Sequence, residues 1–498
     1  MLRPLFVSAL ASASLILLLR FILRDWSKVG LLSSLFWVLF YAYGHVYLAI
    51  EGVSVAGVNI GRHRYLSIIW LALLAVGGWW ILRKYVHTNR STQVLNTIAG
   101  VAVLLPLITI GAYQIQSKRV DVSANQSPTP GSFVGTPPDV YHIIVDAYAR
   151  DDILEILYSF DNEPFLEELA ERGFYIARGS HSNYNNTILS LSSTLNMNYV
   201  DAILDPIDPS STNLEGLIDT IKHSAVRQTF EELGYTTVAF STGFRGTDIT
   251  DVDVYFSPAD DTGLINWLFA PMNAFESLLV QTTALRLWTA LKVNLPFEFG
   301  PDIDAAYQAH RERILFAFAE AKLLPELEGP LYVFMHVISP HPPFIFGPNG
   351  EWLDAADAFT LKAADDFSDR DEYITGYTGQ LTYLNSMLLS LLDEIMERST
   401  RPVIIILHAD HGSGASAVGE DASPVSYLVE RMSILNAYLL VGCDTSQAYT
   451  DITPVNSYRW IFQHCFDTDI ELLVDHTFNS SYGEPLNLVD VTEKLRSP

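Results

Sequence analysis

Two hydrophobic rhythms divide the chain. Over the first 119 residues apolar positions run almost without interruption, in four stretches at roughly 5–23, 29–50, 65–82 and 95–115. Each is close to the ~20 residues a helix needs to cross a bilayer. The runs are apolar on every face, which argues against a soluble bundle. No Ala-x-Ala-like site follows the first run and three more spans come after it, so the pattern is not that of a cleaved signal peptide. Trp37, Trp70, Trp79 and Trp80 suit interfacial positions. The pattern predicts four membrane helices.

From Asp139 onward the rhythm changes. Short apolar runs read as strands: Val140–Val145, Phe174–Ala177, Thr236–Phe240, Leu331–Ile338, Val403–His408 and Ala437–Val441. Helical spacing separates them, around Ile153–Arg172 with a stop at Gly173, from Thr187, and over Tyr373–Arg398. Continuous apolar strands alternating with helices predict an α/β fold, a mainly parallel sheet sandwiched by helices. The expected organisation is a transmembrane region at 1–119, a Ser/Pro/Gly/Thr-rich linker at 120–138 and a catalytic domain at 139–498.

Charge sharpens this division. Of 30 Lys/Arg and 57 Asp/Glu, residues 1–119 hold eleven and two, leaving 19 and 55 for the remainder. A net charge near −36 on that remainder argues against nucleic acid as a partner. Four spans place both termini on one side, but Lys and Arg are spread too evenly over the loops to say which side. The two cysteines, Cys443 and Cys465, fit either a disulfide or two buried thiols.

In a parallel sheet the ligand sits at the carboxyl ends of the strands. Those ends carry Asp146, the pair Asp410-His411 and the stretch "HVISPHPPF", His336 to Phe344. The loop Ser180–Asn196 leads into a helix opened by Thr187. Two carboxylates and an imidazole suit Zn²⁺ or Mn²⁺. A hydroxyl beside such an ion has its pKa lowered, and a helix N-terminus offers donors to an oxyanion. Thr187 is the candidate nucleophile, and Ser190, Ser192, Ser193 and Thr194 read as packing hydroxyls. Asn183 of the same loop is a further candidate substrate contact. His408 reads as core, and the Asn185 and Asn479 sequons as chance matches. The acidic block 354–372 reads as a solvated insertion.

The motifs "VYHIIVDAY", "SNYNNTILSLSSTLNMNY", "MHVISPHPPF", "GYTGQLTYLNSMLLSLLDEI" and "IIILHADHGSG" together resemble the alkaline phosphatase superfamily, in its sulfatase-like and lipoteichoic-acid-synthase-like membrane branch. The resemblance covers most of 138–490. It implies Asp146, Thr187, Asp410 and His411 as metal ligands, with Thr187 also the nucleophile. It implies His341 as a group binding substrate oxygen or assisting the leaving group, with His336 as a second candidate. Neither cysteine lies in the C/S-x-P-x-R context that formylglycine sulfatases need. No Asp-x-x-x-His supports a second metal through His336 and His341, so one divalent ion is expected. The function implied is a metal-dependent transferase or hydrolase of phosphoryl-type esters, acting outside the cytoplasm on a lipid-linked or envelope-polymer substrate through a covalent threonine intermediate. Its rivals are a sulfuric-ester hydrolase or phosphodiesterase, and an inactive relative that binds the envelope.

Overall fold

Uninterrupted apolar sequence becomes uninterrupted helix. Four helices, α1 (Leu2–Leu23), α2 (Trp26–Ile50), α3 (His63–Arg83) and α4 (Thr88–Ser117), are long and apolar enough to cross a membrane, and on these the chain is an integral membrane protein. The computed structural model describes residues 2–50, 54–55, 58–59, 62–83, 88–117, 133, 135–204, 206–258, 274–287, 303–353, 361, 367, 369–418, 424–443 and 448–496. Most of the 120–138 linker and of the 354–372 acidic block lies outside the described residues.

By packing, the chain divides into two units, and the division does not follow chain order. One unit comprises Met1–Ile115, Asp261–Ala309 and Ala355–Thr360; the other comprises Gln116–Asp260, His310–Asp354 and Leu361–Pro498. In the first, the helix Ala274–Thr282 packs on α2. Gly44 of α2 leaves no room for a Cβ against the backbone of Gln281 and Thr282. Ala284 N–H donates to Phe40 O at 2.8 Å, and Arg3 forms an ion pair with the buried Glu276.

In the second unit, seven strands form one sheet. They are β1 (Asp139–Val145), β2 (Tyr175–Ile176), β3 (Thr236–Phe240), β4 (Val254–Phe256), β5 (Leu331–Val337), β6 (Val403–His408) and β7 (Asn436–Leu440), in the order β2-β7-β6-β1-β5-β3-β4. The run β6-β1-β5-β3-β4 is parallel, and β7 and β2 close one edge antiparallel. Central strands are buried along their whole length, as expected where helices cover both faces. Register brings their ends level: Ile144 lies opposite His336 on one side and His408 on the other. A short separate hairpin, β8 (Phe478–Ser481) and β9 (Glu484–Asp490), follows near the C-terminus.

Helices form where the spacing places them, with one correction. The predicted helix over Ile153–Arg172 is two helices, α5 (Asp151–Tyr158) and α6 (Glu163–Glu171). Ser159 takes a left-handed φ of 51° after the first, and Pro164 sits in the first turn of the second, the helix position that tolerates its missing N–H. Further on come α7 (Thr187–Asn196), α8 (Arg370–Arg398), α9 (Pro424–Met432) and α10 (Pro454–Cys465). The long α8 is capped by the Asp369 carboxylate, which accepts from Asp371 N and Glu372 N. It buries Tyr373, Tyr377, Leu381, Leu384, Leu388, Leu391 and Ile395 at three- and four-residue spacing.

The choice left open for the cysteines is resolved: Cys443 and Cys465 form a disulfide that joins the turn after β7 to the end of α10. It closes a separation of 22 residues, for which loop entropy gives about 3 kcal/mol. Replacing both cysteines by serine is therefore expected to lower the melting temperature of the full chain in detergent. Rapid maleimide labelling of the denatured, unreduced wild type would contradict the bond.

Candidate metal centre

Three level strand ends and one helix start build the site. Asp146 follows β1 directly, and its backbone N–H donates to Val337 O at 2.9 Å, holding the strand end in register. Ala409 leaves β6 by donating to Leu435 O at 3.0 Å, after which Asp410 and His411 turn inward. Past Val337 the chain curls back, and His341 N–H reaches Asp146 O at 3.1 Å. Asn186 caps α7 by accepting from Ile188 N, which leaves Thr187 as the first helical residue.

The side chains meet. His411 Nε2 lies 3.6 Å from Asp146 Oδ1, 3.5 Å from Asp410 Oδ2 and 3.3 Å from Thr187 Oγ1. His336 Nε2 is 3.5 Å from Asp146 Oδ2. Single ligand atoms of Asp146, His336 and Asp410 lie within 4.8 Å of one another, and all three residues are buried. His341 stands half-buried at the rim, with its ring 6.2 Å from that of His411. Its Nδ1–H donates to Pro342 O at 2.5 Å, leaving Nε2 as the second functional nitrogen.

Asn183, expected near substrate, is elsewhere. Both of its amide hydrogens are spent on Thr453 Oγ1 and His476 O, and its Oδ1 accepts from Val455 N. It ties the C-terminal segment to the loop before α7. His408 is buried and sits 2.6 Å from His142 through the two Nε2 atoms. Burial drives its pKa down to about 4, so the pair is an uncharged prop beneath the strand ends.

Sequence reasoning missed Arg431. This arginine of α9 is buried and donates from Nε to Asn185 O at 3.1 Å, from Nη1 to Gly412 O at 3.0 Å and from Nη2 to His411 Nε2 at 2.9 Å. The one available signal was weak: a single base in "PVSYLVERM", a helix of ordinary amphipathic spacing in an acidic domain. Burial first, then the Arg431 charge, lowers the His411 pKa to about 4 against the pull of Asp410 and Asp146. With Nδ1–H donated to Gly412 O at 3.0 Å, His411 is neutral, and its Nε2 accepts from Arg431 Nη2 at 2.9 Å beside the two carboxylates. For Asp146, burial favours the neutral acid, but the surrounding imidazoles, His341 foremost, prevail and hold it well below the usual carboxylate range.

Do these residues fit a metal ion? Asp146 Oδ1, Asp410 Oδ2 and His336 Nε2 are buried without a hydrogen-bond partner. Unpaired buried polar atoms are costly, and a shared cation satisfies all three at once. Two carboxylates and imidazole nitrogens are a suitable donor set, so the residues fit.

The loop carrying the pair leaves no slack. A Cβ at Gly412 would collide with the carbonyl oxygens of Glu430 and Ser433, both backbone atoms at the end of α9. The Glu430 carboxylate in turn holds the following loop, accepting from Ser413 Oγ, Ala415 N and Ser416 N at 2.7–2.8 Å. Gly412→Ala is expected to push α9 off the Asp410-His411 turn, at about 1–3 kcal/mol. Bound metal and melting temperature should fall together, and wild-type values of both would contradict the packing.

A cavity of about 190 Å³ opens over the cluster, lined by Asp146, Thr187, Phe244, His341, His411, Arg431 and Tyr482 among others. Comparison with known proteins bears on what such a site belongs to. The sulfatase family model matches residues 138–430. No curated protein matches the chain. Among solved structures, the C-terminal periplasmic domain of EptC from Escherichia coli, in complex with Zn, is similar at 10% identity and a TM-score of 0.41, covering 73% of this chain and 96% of that one. The integral membrane lipooligosaccharide phosphoethanolamine transferase A of Neisseria meningitidis gives 12% and 0.39, covering 89% and 83%. The phosphonate monoester hydrolase of Agrobacterium radiobacter gives 12% and 0.40, covering 68% and 79%. The family match spans more than half of the chain, including both strand ends that supply the carboxylates and the helix that Thr187 opens. The chain belongs to the sulfatase family.

Proposed function

We propose that the protein is a membrane-anchored, metal-dependent transferase or hydrolase of phosphoryl-type esters that works through a covalent intermediate on Thr187. One observation carries this: a threonine hydroxyl at a helix N-terminus, 3.3 Å from His411 Nε2, beside three buried polar atoms that lack partners. Asp146, Asp410, His411 and Thr187 would hold one divalent ion, Zn or Mn, with His336 also in reach. Such an ion lowers the pKa of a hydroxyl and polarises a phosphoryl oxygen. Thr187 Oγ, its proton released to solvent beforehand, would bond to phosphorus as the bond from phosphorus to the ester oxygen breaks, and would leave again as the alkoxide in the second step. His341, which lines the cavity, would protonate that oxygen, so that the leaving group exits as an alcohol. An acceptor hydroxyl, or water, then displaces Thr187 and loses its own proton to His341. The buried positive charge of Arg431 and the positive end of the α7 dipole would favour the anionic oxygens.

The globular unit is assigned to the extracytoplasmic side. The Cys443–Cys465 disulfide supports this, since such bonds persist in oxidising compartments. Membrane spans in the same chain favour a lipid-linked or envelope-polymer substrate over a free metabolite. Formylglycine chemistry is not favoured, because both cysteines are paired with each other. Intact and peptide mass spectrometry of the full chain, after incubation with envelope lipid extract, tests the intermediate. A phosphoryl-type adduct on the Thr187 peptide is expected, and its mass names the transferred group. An adduct on another residue would refute the assignment.

A further inference from the structure

His336, near the end of β5, is buried, and its two ring nitrogens meet different surroundings. Nε2 faces Asp146 Oδ2 at 3.5 Å and has no hydrogen-bond partner. Nδ1 lies 2.8 Å from Oγ1 of Thr247, in the loop between β3 and β4. A neutral imidazole carries its proton on one nitrogen and a lone pair on the other. What happens at Thr247 therefore decides what Nε2 can offer to the cluster.

Two buried threonines set the direction of that contact. Thr247 Oγ1–H donates to Thr242 Oγ1 at 3.2 Å, and Thr242 Oγ1–H donates in turn to Phe244 O at 3.1 Å, which can only accept. Thr242 Oγ1 also accepts from Phe244 N at 3.1 Å, so its hydrogen-bonding capacity is full. The loop is held by its own backbone: Thr247 N–H donates to Phe244 O at 3.0 Å and Thr242 N–H to Asp248 Oδ1 at 3.3 Å. A threonine has one hydroxyl proton. With the Thr247 proton spent on Thr242, its oxygen is left to accept from His336 Nδ1–H. Nε2 is then unprotonated, and its lone pair faces a carboxylate oxygen. Two electron-rich atoms buried face to face are costly unless a cation lies between them. His411 differs here, because its Nε2 already accepts from Arg431 Nη2 at 2.9 Å. The lone pair of His336 has no such donor on it, and its ligand atom lies within 4.8 Å of those of Asp146 and Asp410.

We propose that His336 is a ligand of the divalent ion through Nε2, and that Thr247, backed by Thr242, is the positioning residue that fixes its tautomer. The inference rests on the metal-centre part of the proposed function and adds a ligand and the hydroxyl relay behind it. Orientation of a ligating imidazole by a partner on its other nitrogen is a general device of metal sites.

Zinc affinity of the full-length chain in detergent, measured by competition with a chromophoric chelator, tests this without turnover. His336→Gln and Thr247→Val should each weaken zinc by about 10- to 100-fold, the usual loss when the support of a ligating histidine is removed. Thr247→Ser keeps the hydroxyl and should restore most of the affinity. In the His336→Gln background, Thr247→Val should cost nothing further, because its effect passes through the ring. Should Thr247→Val fail to fold, Thr247→Ala repeats the comparison with a smaller side chain, and His336→Gln decides the ligand assignment by itself. Wild-type affinity in His336→Gln would remove His336 from the ligand set while leaving a metal centre on the other residues. Equal losses in Thr247→Val and Thr247→Ser, or a further loss in the His336→Gln background, would make Thr247 a packing residue only. A wild-type chain that takes up no zinc would overturn the metal-centre reading together with this one.

Discussion

Thr187→Ala is expected to cut turnover by several orders of magnitude while the chain still takes up metal. The substitution removes the hydroxyl that opens α7 but leaves Asp146, Asp410 and His411, with His336 beside them. Three protein ligands are the usual complement of a catalytic zinc site, and water can fill the remaining position. Metal affinity should therefore weaken rather than vanish, whereas the covalent route disappears entirely. Thr187→Ser should keep part of the activity: the hydroxyl persists, but the rotamer preference imposed by the methyl is lost. The comparison needs metal content and initial rate measured on the same preparations. Near-wild-type turnover in Thr187→Ala would make water, not threonine, the attacking group.

Asp410→Asn should abolish stoichiometric metal binding with little harm to the fold. Asp410 Oδ1 accepts from Ala147 N at 3.3 Å, a bond the asparagine carbonyl can keep, while Oδ2 is buried without a partner. In the metal-free protein the change replaces an uncompensated buried carboxylate by a neutral amide, which removes a desolvation cost. The variant should then melt at or above the metal-free wild type. Adding zinc should raise the wild-type melting temperature through selective binding to the folded state, and leave the variant unmoved. His411→Ala should lose metal likewise. Equal metal content in both variants and wild type would remove Asp410 and His411 from the ligand set.

The parts of the fold legible in the sequence were those where one local pattern decides. β1, β5 and β6 are wholly buried, so their apolar runs are continuous and their ends conspicuous. Asp146, Asp410 and His411 could be picked out because they interrupt such runs. The break between α5 and α6 was harder to see, since apolar spacing continues across it and only Ser159 and Pro164 mark the change. Arg431 was invisible for a different reason. Its role depends on α9 folding back over Gly412, a long-range approach that no periodicity within "PVSYLVERM" encodes. The antiparallel edge formed by β7 and β2 likewise depends on pairing, not on either strand's own residues.

The packing of Ala274–Thr282 on α2 sets a limit on how this protein can be handled in pieces. A fragment beginning near residue 120 looks like the natural water-soluble preparation. It would still carry the stretch 263–297, in which Glu276, Arg286 and Lys292 are the only charged residues. Within it, Glu276 would have lost Arg3, and Ala284 N–H would have lost Phe40 O. Such an uncovered apolar segment is an aggregation site. Soluble expression should therefore need excision of roughly 261–309 as well as removal of the first 119 residues.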